Sequence, residues 1–590
     1  MRLQHRNTGH EEKMDEKTEI EDFAPWFLIF ITLAGFLLRG FLLGKNGMWL
    51  DEAFSVWVAK HSIPDMLYWI VRIDQHPPLY YFLLHYWIKL NGDSPSAVRM
   101  LSVLFGTATI PIVYLIGKRL SGVLVGMAAA AFFALSPFNI LFAQDARMYT
   151  LLAFNASVAI YALVSLLMDP RSARPIGSQF REYLHVWRTQ KPIEPESQGE
   201  FSYKDGLPKP TGLRAWISRH RWLPIQTVET DLAWVAFIVF SEATIYTHNT
   251  AILFPLATNI FVLGLLLFQR TQKNKPAPTF QAPALWNWVK SQIGIFILWI
   301  PWMIPFYQQA SRVYQEFWIS SPTWNSVVQV LESFLDENIL RQAPPEVIGK
   351  AGLVVTGQGS QATTVIWFLY ALVLCLGLVF FWKKFSQFLF LAALFFVPFL
   401  GELIISIRRP IFLDRTLIWI TIPLFLLLAA GIARLKFRIL ILVVLVTLSI
   451  NNLLSDSDYY RFYRTEDWIS AAREVAAFDE KNDLVLFNAS WVQIPFDYYY
   501  GTFNLRLIKI DEHGVPADMF DRGILEPKMT DSDLPRLISL LQGHKRVWLV
   551  YSHNSYTDPM GLIPQALANR MQLIKQDDYF GVQVQLFETP

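Results

Sequence analysis

Apolar runs long enough to cross a bilayer recur along most of this chain, and that recurrence leaves it few folds to adopt. A helix needs about 20 apolar residues to span the hydrocarbon core. By that measure the sequence predicts spans near residues 23–43, 97–117, 122–142, 148–168, 231–248, 250–269, 287–305, 364–382, 387–407, 416–433 and 437–454. Lipid offers backbone N–H and C=O groups no partners, so such runs must satisfy themselves as helices. The expected fold is a polytopic α-helical membrane protein with about eleven transmembrane helices. Composition agrees, with 53% of the 590 residues hydrophobic and only 17% charged.

Leu79–Leu90 is apolar but too short to span, and reads as an interfacial helix. The first 22 residues are polar and strongly charged, and the full-length apolar run after them lacks a small-residue cleavage site, which reads as a retained anchor behind a cytoplasmic tail. Lys and Arg in short loops mark the cytoplasmic side. Lys118-Arg119, the Arg-rich segment 169–230, Arg270 to Lys275, Lys383-Lys384 and Arg434 to Arg438 all fall on one side under this assignment. Loops 44–96, 143–147, 306–363 and 408–415 then face outward, together with everything after residue 455. The membrane part is thus expected over 23–454. Beyond it, Asp483–Phe487 and Arg546–Tyr551 read as buried strands, and Asp467–Ala477 and Leu534–Leu541 as helices. Residues 455–590 therefore predict a small extracytoplasmic α/β domain. The single cysteine, Cys375, excludes an intrachain disulfide and any cysteine-based metal site. Phosphate-binding Gly-rich loops, Gly-x-Ser-x-Gly elbows and His-Glu-x-x-His are all missing from the sequence, and nothing in its charge pattern calls for a nucleic-acid partner.

Charges gather at the outer boundaries. Asp51 and Glu52 follow the first span directly, where a carboxylate is costly: ~2.5–3.5 kcal/mol at the helix centre and less at the interface. One of them can act as a general base on a hydroxyl or amine, or Asp51 can cap the helix that begins at Ala53. In Gln75-His76-Pro77-Pro78-Leu79-Tyr80-Tyr81 the prolines hold His76 at a helix start, either aiming an imidazole at an anion or forming a stiff turn beside an aromatic belt. Asp145 and Arg147 either pair with one another, or Arg147 binds phosphate bidentately, as Arg does well. Arg408, Arg409, Asp414 and Arg415 flank later spans, and His248 is a boundary histidine that could join a metal site or simply be hydrogen-bonded. Glu402 falls inside a span and has no assigned role. Clustered on one face, these groups describe an outward cavity with carboxylates and cations near headgroup depth.

At these motifs the chain resembles the GT-C superfamily of membrane glycosyltransferases, in the branch of the protein O-mannosyltransferases and lipid A aminoarabinose transferases. The resemblance rests on Leu50-Asp51-Glu52-Ala53, His76-Pro77-Pro78-Leu79-Tyr80-Tyr81, Gln144-Asp145-Ala146-Arg147-Met148-Tyr149 and Asp414-Arg415, and covers roughly 23–455. It implies transfer of a sugar, hexosyl or pentosyl, from a polyprenyl-phosphate donor to a lipid, glycan or protein acceptor on the outer face of a bacterial plasma membrane. No cofactor is implied, and a divalent metal has no support beyond His248. Asp51 corresponds to the catalytic base with Glu52 as helper, while His76, Asp145, Arg147, Tyr149 and Arg415 fall in the substrate site, Arg415 on the carrier phosphate. Where the aminoarabinose transferases carry an acidic-basic pair before Pro-Pro, this chain has Gln75-His76. A base on one face and a leaving phosphate on the other imply inversion at the anomeric carbon. The alternatives are a lipid-linked sugar transporter or flippase, and a non-catalytic carrier-lipid-binding protein.

Overall fold

The structure, a computed structural model, describes residues 4–181, 229–271, 280–312, 321–335 and 361–590, apart from 436, 489, 520 and 522–526. Most of the expected cytoplasmic loop 169–230, and much of the expected outer loop 306–363, lie outside the described residues. Among those described, nine helices are long and apolar enough to cross a membrane, and a bent pair makes ten. Nearly all the expected spans are recovered within a few residues. Glu229–Ile245 has 17 residues, about 26 Å at ~1.5 Å per residue, and so falls short of the ~30 Å core.

Helix α1 (Gln4–Gly40) carries the first apolar stretch, Glu21–Gly40. Three short helices follow, α2 (Leu50–Lys60), α3 (Ile63–Arg72) and α4 (Leu79–Asn91), before the long α5 (Pro95–Ser121). The expected single span 122–142 is broken into α6 (Val123–Ala134) and α7 (Pro137–Ala143), which meet at 55°. Pro137 disfavours helical backbone at Ser136, and the Ser136 hydroxyl accepts the Asn139 N–H at 3.3 Å, capping the second piece. The bend aims α7 at the loop 144–148, from which α8 (Tyr149–Met168) starts.

Small residues let the later helices cross closely, as membrane packing favours. A Cβ on Gly377 would lie 1.9 Å from the Leu427 carbonyl oxygen, and one on Gly431 equally close to that of Val373. Helices Gln361–Trp382 and Thr421–Ile432 therefore touch backbone to backbone. The last membrane helix, Arg438–Phe462, runs past the expected end at 454. Its extra turns carry Tyr459 and Tyr460, whose hydroxyls bond Gln144 Oε1 (2.9 Å) and the Leu38 carbonyl (2.5 Å), so packing extends the helix beyond its apolar part.

The C-terminal unit is a five-stranded sheet, β1 (Leu484–Phe487), β2 (Asp511–Gly514), β3 (Arg546–Tyr551), β4 (Gln572–Tyr579) and β5 (Val582–Glu588), in the order β2-β1-β3-β5-β4. β1 is parallel to β2 and β3, while β5 is antiparallel to β3 and β4. Side chains alternate across the strands. Val485, Phe487, Trp548 and Val550 pack against helices Trp468–Phe478 and Gln493–Phe503, while Leu484, Leu486, Val547 and Leu549 pack against Leu534–Leu540 and Leu562–Ala568. Both faces are covered, which is why the strands read as continuous apolar runs.

This unit grips the loop that follows α1. The Met48 N–H donates to the Tyr499 hydroxyl (2.7 Å), the Thr465 hydroxyl to the Gly47 carbonyl (2.9 Å), and the Leu50 N–H to Glu466 Oε2 (3.3 Å). The start of α2 is thus fixed from both sides.

Candidate active site

Successive residues on a helix point about 100° apart, and the first turn of α2 uses this to send its two carboxylates to different places. Glu52 turns inward and is fully buried. Its Oε1 accepts Arg99 Nε (2.7 Å) and the Ala146 N–H (2.8 Å), and its Oε2 accepts Arg99 Nη2 (2.6 Å) and the Trp49 N–H (3.4 Å). Arg99 spends its remaining N–H groups on the carbonyls of Leu43, Asn46 and Gly47. Glu52 therefore ties three chain segments together and does not line the cavity; the capping contact at the start of α2, one of the two readings of Asp51, is made by Glu52 instead.

Asp51 faces a cavity of about 330 Å³. Its Oδ2 lies 3.7 Å from Arg415 Nη1 and 3.9 Å from Arg147 Nη2, so one carboxylate stands between two guanidiniums at distances longer than a hydrogen bond. Arg147 does not pair with Asp145. It donates to the Asp51 carbonyl (3.2 Å) and the Ser55 hydroxyl (3.0 Å) and approaches the Tyr81 hydroxyl (3.4 Å). Burial opposes its charge, and Tyr81, Asp51 and Asp74 more than offset that, holding Arg147 well above its ordinary pKa. Arg415 stacks over Tyr149 (5.8 Å) and Trp49 (6.0 Å). Asp145 sits behind this wall, where its Oδ1 accepts Trp49 Nε1 at 2.8 Å. Burial and then the Glu52 charge push the Asp145 pKa up to about 7.

His76 lines the same cavity, with a partner the sequence reading passed over. Asp74 Oδ1 lies 2.8 Å from His76 Nδ1, while its Oδ2 accepts the Tyr81 hydroxyl at 2.6 Å. That short contact makes Nδ1 the donor to Asp74, so the 3.4 Å approach of Arg147 Nη2 to the same nitrogen is packing rather than a hydrogen bond. Burial works to raise the Asp74 pKa, and His76, Arg147 and Tyr81 together hold it below its usual value. Asn249 Nδ2 donates to the Gln75 carbonyl (2.6 Å) and Gln309 Nε2 to the His76 carbonyl (3.2 Å), fixing the loop ahead of Pro77-Pro78. α4 then starts at Leu79, as the prolines predict. Tyr80 and Tyr81 are buried, while Tyr86 farther along α4 is exposed.

Sequence motifs thus bring Asp51, His76, Arg147, Tyr149 and Arg415 to one cavity, while Glu52 and Asp145 support it from behind. Asp74, Tyr81, Ser55 and Arg99 were not singled out as site residues, and Arg409, read only as a boundary charge, lines the cavity too; an acid two residues before His76 was the one legible signal among them. His248 also lines the cavity, its ring 5.0 Å from that of His76. Among the described residues no three His, Cys, Asp or Glu side chains converge as a metal site requires. Ile252, Leu253, Ile405 and Leu413 give the opposite wall an apolar lining, and Trp491 and Tyr556 of the C-terminal unit reach the rim.

Residues 75–174 match the family described as dolichyl-phosphate-mannose-protein mannosyltransferase. Among solved structures, ArnT from Cupriavidus metallidurans in the apo state superposes with a TM-score of 0.55 at 10% identity, over 96% of this chain and 98% of that one. The Archaeoglobus fulgidus oligosaccharyltransferase, in a complex with zinc and sulfate, gives a TM-score of 0.50 at 11% identity, over 94% of this chain and 73% of that one. Comparison with curated proteins gives no match. The fold is thus similar to that of ArnT, and the family match falls on the segment holding His76, Asp145 and Arg147, in line with the resemblance read from the motifs.

Proposed function

We propose that this protein transfers a sugar from a polyprenyl-phosphate donor to a lipid, glycan or protein acceptor, with Asp51 as the base and the cavity facing outward. The observation that carries the reading is one half-exposed carboxylate between two guanidiniums, on a cavity whose far wall is apolar. A lipid phosphate needs both features: cations for its charge, and hydrocarbon contact for its chain. When the phosphate arrives, Arg147 and Arg415 turn their charge toward it, which releases Asp51 to accept a proton. The acceptor oxygen or nitrogen attacks the anomeric carbon, the carbon–oxygen bond to phosphate breaks, and its electron pair stays on the phosphate. The acceptor proton goes to Asp51. Attack opposite the leaving phosphate inverts the anomeric configuration. Positive charge comes from the two arginines, so the reading assigns no resident metal or cofactor.

In this scheme Glu52 is a positioning residue through Arg99, Asp145 positions Trp49, and Tyr149 holds Arg415. Outward orientation is supported by the Lys and Arg bias of the opposite loops. Incubation of the purified protein with labelled polyprenyl-phosphate sugars and envelope lipid, glycan or peptide acceptors tests the reading. Covalent transfer by wild type, abolished in Asp51→Asn with donor binding kept, is the expected result. Full transfer by Asp51→Asn would remove it from the role of base, and sugar movement across vesicles without a new covalent bond would favour a transporter instead.

A further inference from the structure

His248 is a neutral hydrogen-bond donor fixed in its tautomer by the backbone. The Thr250 N–H points at His248 Nδ1 from 3.2 Å, and a main-chain N–H can only donate, so Nδ1 is an acceptor and the ring proton sits on Nε2. The Thr250 hydroxyl donates its one proton to the same Nδ1 (2.9 Å), and beside it Glu402 accepts the Thr416 hydroxyl (2.6 Å) from the neighbouring membrane helix. Glu402 thereby gains a role as the support of this wall. Among the described residues the Nε2–H has no protein partner, although the ring lines the cavity and is only 5% exposed. Burial and the nearby charges of His76, Arg147 and Arg415 push its pKa well below the ordinary value, which keeps it neutral.

We propose that His248 Nε2–H donates to a phosphate oxygen of the lipid-linked donor, completing with Arg147 and Arg415 a three-point phosphate site. The inference rests on the polyprenyl-phosphate reading above. An unsatisfied N–H inside a positive field complements an anionic oxygen, and a neutral donor adds a hydrogen bond without further repulsion between cations.

Two substitutions separate the nitrogens. In His248→Asn the side-chain oxygen can still accept the Thr250 N–H, but nothing reaches the Nε2 position. His248→Gln places an amide N–H near Nε2 and gives up the cap. Binding of undecaprenyl phosphate in detergent, read by tryptophan fluorescence, is expected to weaken about ten- to a hundredfold in His248→Asn, the loss of one hydrogen bond to a charged group. His248→Gln should keep most of the affinity and show a lower thermal midpoint. Undecaprenol, which lacks the phosphate, should bind all three proteins alike. Wild-type affinity in His248→Asn, or weakening in His248→Gln alone, would overturn the proposal while leaving the donor reading intact. Failure of the wild type to bind undecaprenyl phosphate would instead remove the reading on which it rests.

Discussion

Replacing Glu52 by Ala distinguishes a positioning residue from a catalytic one. Its carboxylate accepts two bonds from Arg99 and one from the Ala146 N–H, all at 2.8 Å or less, with no exposure to solvent. Removing one partner of a buried ion pair leaves an uncompensated charge and costs about 3–5 kcal/mol. Set against a typical stability of about 5–15 kcal/mol, that is about a fifth of the total or more. Arg99 would keep its three carbonyl partners, so the loss concentrates in the loop 43–52 that presents Asp51. Thermal unfolding in detergent can follow it through intrinsic fluorescence, since the chain has 21 tryptophans. The expected outcome is a clear fall in the midpoint with activity lost in parallel. The double variant Glu52→Ala/Arg99→Ala should be less destabilised than the sum of the single variants, because it no longer buries a lone charge. An unchanged midpoint with abolished transfer would refute the argument and return Glu52 to the chemistry.

Arg415→Ala should weaken undecaprenyl phosphate binding by about tenfold or more, since it removes a charge-assisted contact, while the thermal midpoint changes little; equal affinity would take Arg415 out of the phosphate site. Asp145 supplies a pH test. Its pKa is about 7 in the fold against an ordinary 3.8, so between those values the folded state holds the proton more tightly, and stability falls as pH rises through the window. Asp145→Asn keeps an acceptor for Trp49 Nε1 without that penalty, and its midpoint relative to wild type should rise from pH 5 to pH 8; a constant difference would refute the assignment.

Membrane helices were legible because lipid leaves so little choice: an apolar run of spanning length must satisfy its own backbone, so length and composition located nearly every one. Breaks and extensions were not legible at that level. The bend at Ser136-Pro137 depends on a cap and a proline in the middle of an apolar run, and the extension to Phe462 depends on Tyr459 and Tyr460 finding partners more than 300 residues away in sequence. The C-terminal sheet gave two of its five strands plainly, β1 and β3, because both are buried on each face; β4, with its alternating and mostly exposed pattern, did not stand out.

At the candidate site, the residue types were legible in the sequence and the direction each side chain takes was not. Asp51 and Glu52 are neighbours of the same charge, yet only the placement of Arg99 on α5 and Arg147 before α8 decides which carboxylate is consumed by structure and which is left to face the cavity. The same holds for Asp145 and Arg147: two residues apart, they would pair in an isolated loop, but Trp49 takes one and Ser55 the other. Each assignment follows from an opposite or complementary group on a distant helix, a pairing that local spacing does not encode. It also follows that the C-terminal unit belongs to the candidate site. Tyr499, Thr465 and Glu466 hold the backbone on which Asp51 is presented, so a change in that unit should be felt at the carboxylate even though its sheet lies outside the membrane helices.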